Sequence, residues 1–142
     1  MLLRNKKRIF TLSAALLMGF VFCVTSCQED PADHSDLFIG KYSGRISYTN
    51  NSGSGAKSAS NDNGTATIIS NMGSYAISFS DGIPTINGLQ FKRTGEYDYR
   101  ATGLPETSYI KVNGSNLSVS YVKGKLEEVW KANCSRGIEP SI

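Results

Sequence analysis

The side chains in this chain that could do covalent or metal chemistry are few and poorly placed for it. A Ser-His-Asp nucleophile needs a histidine inside the fold. The only histidine, His34, lies in the polar stretch 28–36. A catalytic thiol also needs a nearby base, usually histidine, so Cys134 is expected to be a small buried apolar residue. Zinc needs His, Cys or carboxylate ligands at tight spacing, and no such cluster occurs. Glu127 and Glu128 are adjacent on an expected strand, so they point to opposite faces and cannot act as an acid/base pair from one surface. Asn50–Gly55 has glycines but no basic residue at phosphate-loop spacing. We expect no catalytic residue, no metal ligands and no cofactor, and therefore not an enzyme.

Tyrosine is the informative residue type. All seven tyrosines lie beyond residue 40, with the single Trp130. Most fall on the apolar parity of an expected strand, where a buried hydroxyl needs a hydrogen-bond partner. Tyr75, Tyr97, Tyr99, Tyr121 and Trp130 are the candidate ligand-binding residues. A lumen lined by them would suit a flat, moderately polar ligand such as a sugar or an aromatic metabolite. The competing reading is that an eight-stranded barrel is only just wide enough to be filled by its own side chains.

The start of the chain determines where these residues are delivered. Arg4, Lys6, Lys7 and Arg8 precede an apolar run from Ile9 to Val24. A basic segment followed by a short apolar one is the pattern of a secretion signal, and the run is short for a membrane span of about 20 residues. It ends Val24-Thr25-Ser26-Cys27, which resembles the lipobox of bacterial lipoproteins. That resemblance implies cleavage after residue 26 and lipid on Cys27. Several acyl chains would anchor the protein stably, at about 0.8 kcal/mol per buried CH₂. Gln28-Glu29-Asp30 then resembles the short acidic signal that sends Bacteroidetes lipoproteins to the outer cell surface. The implied location is the outer membrane, lipid-anchored and surface-exposed.

Removing the signal changes the arithmetic of charge and cysteine. The whole chain has 15 Lys+Arg and 12 Asp+Glu, a formal charge of +3. Four of the basic residues lie in the signal, which leaves 11 against 12, or −1. No clustered basic surface is visible that would point to nucleic acid. Cys23 leaves with the signal and Cys27 takes lipid, so Cys134 is the one thiol left and an internal disulfide is excluded.

Residues 28–36 read as a solvated tether, giving a signal at 1–26, a lipidated tether at 27–36 and one domain at 37–142. Within the domain, period-2 alternation dominates. Gly40–Thr49, Gly73–Ser80, Gly95–Thr102, Asn116–Val122 and Leu126–Cys134 each fit a strand with one apolar face. Thr65–Ser70, Ile83–Ile86, Leu89–Lys92 and Tyr109–Val112 are shorter candidates. Asn113-Gly114 is a hairpin signal, and Asp81-Gly82, Asn87-Gly88 and Lys123-Gly124 mark further turns. Asn50–Asn63 has no large apolar side chain and reads as a mobile loop. The fold class is all-β: a small antiparallel meander closed into a barrel of about eight strands, with a β-sandwich as the alternative.

Leu37-Phe38-Ile39-Gly40-Lys41-Tyr42 opens the domain. A Gly-x-aromatic start followed by a meander resembles the calycins, which include lipocalins, avidins and calycin-like lipoproteins. The resemblance implies that Tyr42 and Arg136 close the base of the barrel as a cation over an aromatic face. Two functional classes follow. One is a non-enzymatic module that binds a small molecule or glycan fragment. The other is a structural or accessory protein that contacts another envelope protein.

Overall fold

The computed structural model describes residues 37–125 and 127–137; the signal, Cys27 and the tether lie outside them. Eight strands form one sheet: β1 (Gly40–Asn50), β2 (Lys57–Asn71), β3 (Ser74–Phe79), β4 (Ile86–Arg93), β5 (Asp98–Thr102), β6 (Tyr109–Asn113), β7 (Asn116–Lys123) and β8 (Glu128–Ser135). Each pairs antiparallel with the next, and β8 pairs with β1, so the sheet closes into a meander barrel. The sandwich alternative is excluded. Alternation explains the closure. Leu117 and Val119 on β7 and Ala132 and Cys134 on β8 are buried, while Lys131 and Asn133 between them are exposed.

Several expected boundaries move. Asn50–Asn63 is not a loop. It contains the end of β1, a 3-10 turn at Gly53–Gly55 and the first half of β2, which pairs with β1 from Asn50↔Lys57 to Ile46↔Asn61. Backbone pairing with β1 satisfies this segment's amides, so it needs no apolar side chains to be a strand. Thr65–Ser70 is only its second half. Ile83–Ile86 and Leu89–Lys92 are not two strands divided by a turn. Asn87-Gly88 lies inside β4, where the register with β3 shifts between Tyr75↔Leu89 and Ile77↔Ile86. Gly88 has φ +70, so the glycine makes a bulge there. The fifth strand starts at Asp98, which leaves Tyr97 outside it.

One glycine pair, on β1 and β2, sits in the most crowded part of the sheet. Gly44 and Gly64 face each other where the register shifts. Gly44 has φ +156, and a Cβ there would lie 2.5 Å from the Asn133 carbonyl oxygen of β8. A Cβ on Gly64 would lie 2.3 Å from Ile46 Cδ1. The chain can therefore bend at this corner only without side chains.

The interior is filled. Tyr42, Ile46, Ile68, Ile77, Ile110 and Leu117 are essentially inaccessible. At one end Phe38, just before β1, plugs the barrel against Tyr99, Phe91 and Tyr75, with ring centroids 4.6, 4.7 and 5.0 Å away. This is the closed end. The β1–β2, β3–β4, β5–β6 and β7–β8 connections lie at the other end, by the alternation of strand direction.

Replacing Gly44 with alanine is expected to destabilise the barrel by about 1–3 kcal/mol, the usual cost of overpacking. Gly55→Ala, which meets nothing within 4 Å, should stay near wild type. Urea unfolding of the two variants checks this, and equal midpoints would refute the role of the glycine corner.

Candidate functional site

The five aromatic residues singled out from sequence do not share one lumen. Tyr75 and Tyr99 belong to the closed-end cluster around Phe38. Tyr97 is 58% exposed and sits in the β4–β5 turn at the same end. Tyr121 and Trp130 lie together at the open end. They form a direct cross-strand row, Tyr121↔Trp130↔Tyr48, over β7, β8 and β1. Ring centroids are 5.4 Å from Tyr121 to Trp130 and 4.8 Å from Trp130 to Tyr48. Tyr48, not among the sequence candidates, is therefore part of this site. Its signal was its inward parity on β1, but its meeting with Trp130 depends on register.

The closed end is locked by polar contacts. Arg136 lies over the Tyr42 ring, 4.7 Å from its centroid. Its guanidinium donates to the Leu37 carbonyl at 2.6 Å and to the Tyr42 hydroxyl, and that hydroxyl donates to the Phe38 carbonyl at 2.7 Å. Arg136 thus ties the entering chain to β1 and holds Phe38 in the barrel mouth. Among the described residues, the contact is structural.

The open end is different. Tyr48 donates its hydroxyl to Glu128 Oε1 at 2.6 Å, and Lys123 Nζ lies 3.5 Å from Glu128 Oε2. Glu127 is in the β7–β8 turn and exposed, not on the strand beside Glu128. Trp130 donates its indole N–H to the Pro84 carbonyl at 2.8 Å, fixing the β3–β4 connection against β8. Asp81 holds that connection from the other side. It adopts φ +61 and accepts hydrogen bonds from Ser80 and Asn61. These bonds lower its carboxyl below the ordinary value. Pro84 separates two clefts. One, of about 250 Å³, is lined by Thr85, Asn87, Tyr121, Lys123 and Glu128. The other, of about 610 Å³, is lined by Tyr48, Asn50, Lys57, Ala59 and Gly82. The site therefore offers phenol edges, one carboxylate, two ammonium groups and amides. That is hydrogen-bonding chemistry rather than bond-breaking chemistry. No group of three or more metal-ligating side chains occurs among the described residues.

Cys134 is buried, 3% exposed, with its Sγ 3.7 Å from the Arg45 carbonyl. No family model matches the chain, and no curated protein or solved structure matches it significantly.

Burial raises the Cys134 thiol and the Tyr42 and Tyr48 phenols above their ordinary values of 9.0 and 10.0. For Tyr42 the Arg136 charge opposes the shift, and for Tyr48 Glu128 adds to it. Each raised value means that the fold holds a proton the unfolded chain gives up. Their contribution to stability is constant below pH 9 and is lost as pH rises through and beyond 9 to 10. Urea midpoints should therefore stay level from pH 7 to 9 and fall above. Cys134→Ala should move the onset toward pH 10. An unchanged midpoint at pH 11 would contradict the burial of these groups.

Proposed function

We propose that the open end of the barrel binds a small, uncharged or weakly charged ring-shaped ligand, with a glycan fragment as the chemical class, and that the protein is a binding module rather than an enzyme. The observation behind this reading is the convergence of Tyr121, Glu128, Lys123, Thr85 and Asn87 on one cleft above a rigid Trp130. A phenol offers a flat face and a hydroxyl. A carboxylate, an ammonium and an amide supply the acceptors and donors that a sugar's hydroxyls need. The filled interior argues against a ligand carried deep in the barrel, which makes the open-end cleft the place for it.

On this reading the chain is a lipoprotein processed at Cys27, held in the outer membrane and displayed at the cell surface. It belongs with the calycin-like lipoproteins that its opening residues resemble. Among the described residues, the chain enters the barrel at Leu37, at the closed end opposite the cleft. Contact with another envelope protein is the second reading, favoured by the exposed Leu37, Met72 and Tyr97 at the closed end.

Trp130 is the only tryptophan and reports on the cleft directly. Incubation of the full chain with neutral oligosaccharides should add discrete mass in a native mass spectrum and change Trp130 emission. Tyr121→Ala should weaken this binding by roughly tenfold, the worth of about 1.4 kcal/mol. No added mass and no emission change would refute the binding reading. Metabolic labelling with a radioactive fatty acid should mark the wild-type chain and not Cys27→Ser; equal labelling would refute lipidation there.

A further inference from the structure

The outer wall has a charge pattern that the net charge of the chain hides. Residues 37–137 hold eleven Lys and Arg against seven Asp and Glu. The carboxylates of Asp81, Glu96, Glu106 and Glu127 lie in connections at the barrel ends, whereas several cations lie within the strands. Lys92 on β4 faces Arg100 on β5, and Arg100 faces Lys111 on β6. All three point outward, since Phe91, Tyr99, Ile110 and Val112 beside them pack in the core. Like charges placed directly opposite on a sheet repel each other. Neither Lys92, Arg100 nor Lys111 forms an ion pair with a described residue. The one carboxylate strand residue close to Arg100 in sequence, Asp98, sits against Gly95 at the β4–β5 turn.

The row does not stop at Lys111. It runs on through Ser118 and Asn133 to Arg45, which is paired with Asp62 at 2.7 Å. The adjacent outward row is Tyr109, Ser120, Lys131 and Ser47. Tyr109 stands between two surface depressions. One, of about 340 Å³, is lined by Arg100 and Lys111. The other, of about 380 Å³, is lined by Arg45, Lys131 and Asn133.

We propose that this wall binds a linear acidic polysaccharide with one carboxylate per sugar, laid across β4, β5 and β6 along Lys92, Arg100 and Lys111. Adjacent strands lie about 4.8 Å apart, close to the length of one pyranose unit. Successive carboxylates of such a chain therefore meet successive cations of the row. Tyr109 supplies one flat face for a sugar ring, and Ser118 and Ser120 on β7 supply hydroxyl partners. A single-stranded nucleic acid would instead need a series of aromatic platforms for its bases, and this wall presents one. The polyanion removes the repulsion that the bare row retains. This site is separate from the open-end cleft and does not depend on what binds there.

The test uses the full chain in mild detergent, passed over immobilised polygalacturonate, with dextran as the neutral control. Salt-sensitive retention is expected on polygalacturonate, whereas any retention on dextran, through the open-end cleft, should not respond to salt. Retention on polygalacturonate should weaken roughly twentyfold between 50 and 200 mM salt, because neutralising about three charges releases about two counterions. Arg100→Glu should abolish retention. That variant places a carboxylate between two cations, so its melting temperature should equal or exceed the wild-type value, which separates lost binding from lost folding. Tyr109→Ala should retain the salt dependence with weaker binding. Absence of retention, retention unaffected by Arg100→Glu, or tighter binding to an oligonucleotide or to anionic vesicles than to polygalacturonate would each overturn the proposal.

Discussion

Strand β1 is hydrogen-bonded to β2 on one side and to β8 on the other, from Ser43↔Ser135 to Asn50↔Glu128. That double pairing leaves the sheet without an edge, which removes the row of unpaired amides that would otherwise recruit another strand. It also makes β1 the crowded element. Its inward side chains Tyr42, Ile46 and Tyr48 fill the interior above and below Gly44, and its backbone must bend to reach both partners. Gly44 and Gly64 make the bend possible. Phe38, Tyr42 and Arg136 then close one end, so the remaining freedom of the structure lies at the other end and on the outer wall.

The consequence for function is a division of labour among the aromatic residues. A small barrel has little interior to spare, and here Phe38, Tyr75, Phe91 and Tyr99 occupy one end of it as a packed cluster. The row Tyr48, Trp130 and Tyr121 does a different job. It floors the open end, with the indole N–H and the Tyr48 hydroxyl both committed to Pro84 and Glu128. A committed floor is rigid, and a rigid floor can orient a ligand without first being ordered.

Much of the fold was legible in the sequence because burial on one face forces alternation. The alternation of Leu117, Val119 and Tyr121 marks one buried face, and the turn spacing points to a meander, but its closure rests on the pairing of β8 with β1. What escaped was structure held by backbone alone. Residues 57–61 pair with β1 through amides and carbonyls, and side chains without large apolar groups leave no trace in hydropathy. Asn87-Gly88 looks like a turn because glycine at positive φ serves both a turn and a bulge, and only the partner strand decides. Tyr97 was placed on a strand by parity, yet the chain is still turning there. The site was legible only in fragments. Tyr121 and Trp130 stood out by type, whereas Tyr48, Pro84 and Glu128 join them through register, which a single sequence does not display. The basic wall is hidden for the same reason: Lys92, Arg100 and Lys111 are far apart in the chain and adjacent only across strands.

Amide chemical-shift mapping tests the central claim, that the open end is the binding surface for small ligands. The isotopically labelled full chain in detergent would be titrated with neutral oligosaccharides. The account predicts shifts concentrated at Thr85, Asn87, Tyr121, Lys123 and Glu128, with the amides around Phe38, Tyr75 and Tyr99 unmoved. Shifts centred on the Phe38 cluster, or none anywhere, would contradict it.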